Sequence, residues 1–149
     1  MTIARVIAGR SGEIWSCHAD DRVADAVAVL AERRIGALPV LDRPGAGAGG
    51  EPVAGIFSER DVLHCVHAHG AAALTMTVRE VMTAPVVTIG PDTEVLQALA
   101  LMTRRRFRHL PVVESGKMIG FVSIGDLVKH RIDRIEAEAD AMRVYIQSA

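Results

Sequence analysis

A Ser–x–x–Asp pair preceded by glycine occurs twice in the 149-residue chain, as GIFSERD (55–61) and GFVSIGD (120–126). A Ser three residues before an Asp at a helix start can form a capping box, in which each side chain bonds the other residue's backbone N–H. The same arrangement can bind a nucleotide, because a helix N-terminus attracts anions and a carboxylate accepts hydrogen bonds from a ribose diol. Both interpretations are open from the residues alone. The side chains concerned are Ser58, Asp61, Ser123 and Asp126.

A second candidate site is the run GAGAGG (45–50), which fits the dinucleotide-binding pattern G-x-G-x-x-G. That pattern works only with a strand before it and a helix N-terminus after it. Here Glu51-Pro52 and the β-type run VAGIF (53–57) follow instead. We predict that the glycines lengthen a flexible hairpin loop and bind no nucleotide.

Histidine and cysteine, the usual zinc ligands, cluster in HCVHAHG (64–70). His64 and His67 are three residues apart and can share a helix face, with Cys65 and His69 nearby. No Cys or His pair at ligand spacing elsewhere completes a tetrahedral set. We predict a solvated helix end without a resident metal, and adventitious metal binding is the alternative.

Nucleophilic catalysis has little support in the sequence. A G-x-S-x-G elbow is absent. Ser58 and Ser123 each have an Asp nearby but no placed base, and no convincing Ser–His–Asp or Cys–His set is found. The chain is therefore predicted not to be an enzyme.

Composition and charge exclude several classes of protein. Aromatic residues make up 3% of the chain and the formal net charge is −1, so no nucleic-acid partner is expected. Arg104 and Arg105 are interpreted as cations at a helix C-terminus. No apolar run is long enough to span a bilayer and the N-terminus lacks a signal peptide's apolar segment, so no membrane partner is expected. Two cysteines make no disulfide framework, which favours a reducing cytoplasm.

An internal repeat reveals the elements that position these residues. A shift of 72 residues aligns 20–40 with 92–112, and nine of the 21 positions are identical. A shift of 65 residues aligns the two Ser–x–x–Asp motifs. The first copy therefore carries seven extra residues between these two matches, and they include the glycine run.

Each copy has the pattern strand–helix–strand–strand–helix. Apolar residues recur at helical spacing after Asp20 and Asp92, which are predicted N-caps. Two short β-type runs follow, joined most simply by a hairpin, and a second helix begins near the motif Ser. We expect an α/β (α+β) fold of two units related by pseudo-two-fold symmetry, each with a small mixed sheet. The predicted organisation is a first unit at 1–70, a linker at 71–79, a second unit at 80–132 and a C-terminal amphipathic helix at 133–149.

The tail of the chain has an apolar stripe with spacing 4, 3, 4, 3, 4. Charged residues fill the positions between, so a strongly amphipathic helix is predicted, although it is short of the length typical of a coiled coil. Packing on its own unit and contact with another subunit are both open. The stripe consists of Val128, Ile132, Ile135, Ala139, Met142 and Ile146.

Both copies resemble cystathionine-β-synthase (CBS) domains. The resemblance rests on the phrases RRIGALPV, GIFSERD, VMT, RRFRHLPVV and GFVSIGDLV, and it covers roughly residues 3–132. Two copies in order make it far more specific than either motif alone. The pair resembles the regulatory arrangement called a Bateman module, as found in stand-alone bacterial proteins of this family.

In that family, adenine nucleotides bind in two clefts between the repeats. The resemblance implies that Asp61 and Asp126 bind ribose, and that Ser58 and Ser123 approach ribose or phosphate. It also implies that Arg60 contacts phosphate in the cleft that contains Asp61.

The residues before each Leu-Pro-Val run are implied to line the base and the phosphates. Arg108 and His109 precede that run in the second copy, which favours the Asp126 cleft as the better phosphate site. The adenine wall of that cleft is implied to consist of Ile35, Gly36 and Ala37. Further residues are implied to border the bases, namely Trp15, Ser16, Val87 and Thr88.

The implied function is regulatory binding of AMP, ADP, ATP or NAD(H), with S-adenosylmethionine as a less favoured ligand and no required cofactor. A homodimer and a separate effector protein are expected as partners. The alternative is an interaction protein with vestigial clefts that acts through its C-terminal helix.

Overall fold

A computed structural model of the chain describes residues 1–10, 12–42 and 53–149. The predicted α/β class, with two repeated units and a C-terminal helix, is confirmed. The predicted glycine-run loop lies outside the described residues. In chain order the elements are α1 (Ile3–Ala8), β1 (Cys17–His18), α2 (Val23–Arg33), β2 (Ala37–Leu41), β3 (Val53–Ser58), α3 (Glu59–His69), a 3-10 helix (Gly70–Thr75), α4 (Val78–Val81), α5 (Val95–Arg105), β4 (His109–Glu114), β5 (Lys117–Ser123) and α6 (Ile124–Ser148).

The sheets are small, as predicted, and the sheet of the first repeat is mixed. In the first repeat β2 lies between β1, which is parallel to it, and β3, which is antiparallel. In the second repeat β4 pairs antiparallel with β5, and a single parallel bridge from Ile89 to Val112 stands where the first repeat has β1. The antiparallel register places Ala37 opposite Ser58, and it places the equivalent residue, His109, opposite Ser123 in the second repeat. The residue before each Leu-Pro-Val run therefore lies beside the motif Ser.

The predicted N-caps at Asp20 and Asp92 are wrong, because the helices start two residues later, after Arg22 and Glu94. Backbone pairing with a neighbouring segment replaces the expected side-chain cap. The first N–H group of α2 donates to the carbonyl of Met76 at 2.8 Å, and the first N–H group of α5 donates to the carbonyl of Met1 at 3.0 Å. These bonds satisfy donors that a helix start otherwise leaves unpaired.

The hydrophobic core forms two clusters, and each is completed by a helix that belongs to the other repeat in sequence. Ile3 and Val6 of α1 pack in the cluster of the second repeat. Val78 of α4 is fully buried in the cluster of the first repeat. The predicted linker, 71–79, contains most of the 3-10 helix and the start of α4, so it contributes to packing between elements.

Two glycines mark where these exchanged segments cross the sheets. A Cβ atom on Gly55 would lie 2.8 Å from the carbonyl oxygen of Thr83, and one on Gly120 would lie 2.8 Å from Cγ2 of Ile7. Only a residue without a side chain permits such a close approach. The two repeats are thereby fastened to each other by equivalent contacts.

The helix α6 begins after Ser123, where the second helix of the repeat was predicted, and runs without a break to Ser148. The C-terminal helix predicted at 133–149 is its continuation and not a separate element. Leu127 is its buried residue, and the apolar stripe of the sequence faces outward. No helix among the described residues is both long and apolar enough to cross a membrane.

Candidate functional site

The first Ser–x–x–Asp motif forms a capping box at the start of α3. The backbone N–H and the hydroxyl of Ser58 donate to Oδ2 of Asp61, at 2.9 and 3.0 Å. The other oxygen, Oδ1, accepts a hydrogen bond from the hydroxyl of Thr83 at 2.8 Å. The carboxylate therefore joins its own helix start to the segment that crosses from the second repeat, and it faces the space between them.

The second motif repeats this arrangement with a charged partner. The backbone N–H of Ser123 donates to Oδ2 of Asp126 at 2.7 Å, and Oδ1 forms an ion pair with the guanidinium of Arg10. Burial alone would raise the pKa of Asp126, but the bonds from Ser123 and the charge of Arg10 outweigh it, so the pKa lies below its ordinary value. This carboxylate is ionised, and the positive charge of Arg10 offsets part of its negative charge.

Asp61 lies in a cleft of about 380 Å³ between the repeats, and we call it the Asp61 cleft. A volume in this range suits a small organic ligand. The first repeat supplies the start of α3, and the second repeat supplies the turn between α5 and β4 as well as the segment before α5. The lining residues are Gly36, Ile56, Ser58, Glu59, Arg60, Asp61, Thr83, Pro85, Val86, Val87, Arg105, Arg106, Phe107, Arg108 and His109.

Asp126 lies in a larger cleft of about 690 Å³, the Asp126 cleft. Here the second repeat supplies the start of α6 and the strand β5, and the first repeat supplies the turn between α2 and β2. The lining residues are Ile7, Arg10, Gly12, Glu13, Ile14, Trp15, Arg34, Ile35, Gly36, Ala37, His109, Ile119, Gly120, Phe121, Ser123 and Asp126.

Gly36 and His109 line both clefts. A Cβ atom on Gly36 would lie 3.6 Å from the imidazole of His109, so the two residues form a common wall. The ring stacks on Phe121 with a centroid distance of 5.6 Å. Burial lowers the pKa of His109, and the nearby carboxylates of Asp126 and Glu59 oppose this effect only in part.

The structure brings most of the predicted site residues to the two clefts. Ser58, Asp61 and Arg60 meet in one of them, together with Val87. The predicted adenine wall of Ile35, Gly36 and Ala37 lines the Asp126 cleft, as does Trp15, on whose ring the guanidinium of Arg33 rests at 3.7 Å from the centroid. Ser16 and Thr88 line neither cleft.

One assignment from the sequence is wrong. Arg108 was expected beside Asp126, but it lines the Asp61 cleft. The reason is geometric: the backbone carbonyl of Arg108 accepts a bond from the N–H of Ile124 at 2.8 Å, and the side chain reaches the opposite cleft. The cation expected for the Asp126 cleft therefore belongs to the Asp61 cleft.

Two residues that the sequence did not reveal are Arg10 and Thr83, which bond to the two motif carboxylates. Both lie on the exchanged segments that cross from the other repeat. Arg10 and Thr83 are residues of different types, so the alignment of the two repeats does not mark them as equivalent. Arg105 and Arg106 also line the Asp61 cleft, although we interpreted Arg105 as an exposed helix end.

The histidine cluster at the end of α3 shows no site geometry. Among the described residues, no three His, Cys, Asp or Glu side chains come together as metal ligands would. The prediction that the protein has no resident metal remains a prediction.

Comparison with known proteins agrees with the geometry. The mitochondrial CBS domain-containing protein CBSX3 of Arabidopsis thaliana is 38% identical over 136 residues, which are 90% of this chain and 64% of that protein. The chain thus spans less than two thirds of that relative's length. A crystal structure of a CBS-domain protein from Agrobacterium tumefaciens superposes with a TM-score of 0.78 at 35% identity, and the match covers 87% of this chain and 92% of that one.

A third similar protein carries a ligand. The structure of CBSX2 in complex with AMP has a TM-score of 0.72 at 24% identity, covers 89% of this chain and 96% of that chain, and shows the same fold. The family model for the CBS domain matches residues 10–68 and 78–133, which are the two repeats. The chain therefore belongs to the CBS domain family, as a tandem pair of CBS domains.

Proposed function

We propose that the protein is a regulatory module that binds adenine nucleotides in its two clefts. The observation that carries this proposal is that each cleft lies between the repeats and presents a motif carboxylate, of Asp61 or Asp126, at a helix start. In both, Oδ2 is engaged by the capping Ser, and Oδ1 faces a side chain of the other repeat. A ribose diol would bond at Oδ1, since a charged acceptor makes strong hydrogen bonds.

Regulation follows from linkage. A ligand that touches both repeats stabilises the arrangement it binds by RT ln(1 + [L]/Kd), about 2.7 kcal/mol at a hundredfold excess over Kd. The ligand shifts the population of that arrangement, and a surface that differs between arrangements transmits the signal. The proposed ligands are AMP, ADP, ATP and NAD(H), and the CBSX2–AMP complex supports the adenosine part of this assignment.

Thermal unfolding with and without nucleotide tests the proposal. AMP, ATP or NAD(H) should raise the melting temperature, and Asp126→Ala together with Asp61→Ala should remove most of that rise. Each variant is compared with its own ligand-free melting temperature, because both carboxylates also cap helices. Asp25→Ala, on the exposed face of α2, is the matched control and should keep the full rise. No rise with any adenylate or with S-adenosylmethionine would overturn the proposal.

Native nucleotide gives a second test. The purified protein is denatured, and the released small molecules are identified by chromatography and mass spectrometry. An adenosine compound in stoichiometric amount supports the proposal and identifies the ligand.

We also propose that the outward stripe of α6 pairs with α6 of a second copy of this chain. Ile132, Ile135 and Met142 are 49%, 49% and 61% exposed, which is unusual for side chains of this size along one helix face. If Ile132 and Ala139 are taken as heptad positions a, then Ile135 and Met142 occupy positions d. The stripe is thus a seam of the coiled-coil type, although a short one.

Charge complementarity favours a parallel pair. In that orientation Arg131 faces Glu136 of the second copy, and Glu138 faces Arg143 of the second copy, because g and e positions meet across the seam. The antiparallel register would instead oppose Glu136 with Glu136 and Lys129 with Arg143. Opposite charges face each other in the parallel form, whereas this antiparallel register brings like charges together, so the charges favour the parallel form.

Sedimentation analysis tests the pairing. Deletion of residues 134–149 should convert a dimer to monomer, and Glu136→Arg should weaken the dimer. The double variant Arg131→Glu/Glu136→Arg should restore it, because the interchain pair is re-formed with the charges exchanged. A dimer unaffected by the deletion would place the interface elsewhere.

A further inference from the structure

The two clefts differ in charge as well as in volume. Within the Asp61 cleft, four guanidinium groups stand against two carboxylates, those of Glu59 and Asp61. The imidazole of His109 adds little positive charge near neutral pH, since burial lowers its pKa. The net charge of the lining is therefore positive. The four cations are Arg60, Arg105, Arg106 and Arg108.

These cations are available for a ligand. In the described part of the chain, no ion pair or hydrogen bond engages their guanidinium groups. Three of them lie within four residues at the end of α5, where Arg106 adopts a left-handed conformation with φ of 58° and turns the chain into the cleft. A group of unpaired arginines on a tight turn suits a phosphate chain, which guanidinium groups bind bidentately.

The lining of the Asp126 cleft is neutral. Two arginines, Arg10 and Arg34, stand against Glu13 and Asp126. Arg10 is already committed, since it pairs with Asp126 and donates to the carbonyl of Phe121 at 2.8 Å. One guanidinium, that of Arg34, remains, and several apolar side chains lie around it. The apolar lining consists of Ile7, Ile14, Trp15, Ile35, Ile119 and Phe121.

The difference arises at three pairs of equivalent positions in the repeats. Gly125 of the second motif stands where the first motif has Arg60. Gly36 occupies in the first repeat the place that Arg108 occupies in the second, so the Asp126 cleft lacks that cation. Arg33 is the equivalent of Arg105, but its guanidinium rests on the ring of Trp15 at 3.7 Å from the centroid, a cation–π contact. Two cations are absent, and a third is held against Trp15.

We propose that the two clefts divide adenosine ligands by charge: the Asp61 cleft binds a nucleotide with a phosphate chain, and the Asp126 cleft binds an uncharged or weakly charged adenosine compound. This inference rests on the proposed function, since it presumes that both clefts accept adenosine. The shared wall of Gly36 and His109 separates two sites that differ in charge, so both can be occupied at once.

Calorimetric titration tests the division, with ATP and adenosine as the probes at fixed ionic strength. Protein saturated with adenosine should still bind ATP, to a total of two ligands per chain. Arg108→Gln should weaken ATP binding at least tenfold and leave adenosine binding unchanged. Trp15→Ala should weaken adenosine and leave ATP unchanged. Arg104→Gln is the matched control, because Arg104 belongs to the same cluster but lines neither cleft.

A gain-of-function variant makes the test independent of lost folding. Gly36→Arg restores one of the missing cations, and its Cβ atom would meet ordinary contacts of 3.6 to 3.8 Å. We expect the Asp126 cleft of this variant to bind ATP, so that two ATP molecules bind per chain. ATP that displaces adenosine one for one, or an Arg108→Gln variant that loses both ligands equally, would overturn the division while leaving the proposed function intact. The absence of any adenosine ligand would instead overturn the proposed function.

Discussion

Replacement of Gly55 by alanine should destabilise the protein and weaken nucleotide binding in the Asp61 cleft. The added Cβ atom would lie 2.8 Å from the carbonyl oxygen of Thr83 and 2.9 Å from the sulfur of Met82. The methionine side chain can move aside, but the carbonyl belongs to a backbone held in place. Ordinary carbon–oxygen contact needs at least 3.4 Å, so the crossing segment must retreat by several tenths of an ångström.

The expected cost follows from the bonds that this retreat strains. Ile56 donates to the carbonyl of Thr83 at 3.0 Å, and Thr83 donates back to the carbonyl of Ile56 at 2.8 Å. Each such bond contributes about 0.5–1.5 kcal/mol net, and overpacking of a well-filled site costs about 1–3 kcal/mol. A total of about 2–3 kcal/mol lowers the melting temperature of a chain this size by roughly 4–12 °C.

Thermal and chemical unfolding measure this loss, and Gly90→Ala is the control, because a Cβ atom there would meet nothing within 4 Å. The retreat of Thr83 also lengthens its bond to Oδ1 of Asp61, so nucleotide binding in that cleft should fall more than binding in the Asp126 cleft. A Gly55→Ala protein as stable as the Gly90→Ala protein would show that the crossing segment is not fastened at this point.

Three further predictions concern ionisation. Burial raises the pKa of Cys17 to about 12, so a thiol reagent at pH 8 should label this residue only after unfolding. The pKa of His109 is lower in the folded protein than in the unfolded chain. Its contribution to stability is therefore complete above about pH 6.5 and is lost as the pH falls towards the pKa of the folded protein. The melting temperature of His109→Gln should depend less on pH between 7.5 and 5.5 than that of the unchanged protein. The pKa of Asp126 is lowered, so its carboxylate stabilises the fold at pH values above the ordinary pKa of 3.8, and this stabilisation is lost as the pH falls below it. The stability of Asp126→Asn should therefore change less with acid than that of the unchanged protein.

Most of the fold could be predicted because its determinants are local. The helical spacing of apolar residues, the short β-type runs and the Ser–x–x–Asp caps each act within a few residues, and the two copies repeat them. The helix starts after Arg22 and Glu94 could not be predicted, because distant backbone carbonyls replace the side-chain caps there. The exchange of α1 and α4 between the cores escaped prediction for the same reason.

The site was less predictable than the fold because each cleft is built from both repeats. The motif residues could be identified within one copy, but the residues opposite them come from the other copy and are set by how the two units cross. Arg108 shows the consequence: the sequence predicts a phosphate contact beside Asp126, yet the crossing places this residue beside Asp61. Thr83 and Arg10, which bond to the two motif carboxylates, left no trace in the repeat at all.

This division between local and crossed determinants explains how one duplicated fold can hold two different sites. The capping boxes and the glycine contacts at Gly55 and Gly120 sustain folding, so a change in either copy is costly. The residue two positions before each Leu-Pro-Val run, Gly36 or Arg108, is free of that role. Its backbone carbonyl alone bonds the next helix, at 3.0 Å from Gly36 and 2.8 Å from Arg108. Its side chain can therefore change from hydrogen to a guanidinium without disturbing the fold. That side chain reaches the cleft whose motif carboxylate belongs to the other repeat, as Arg108 reaches the Asp61 cleft. A single position in one copy can therefore change the charge of a site whose carboxylate belongs to the other copy.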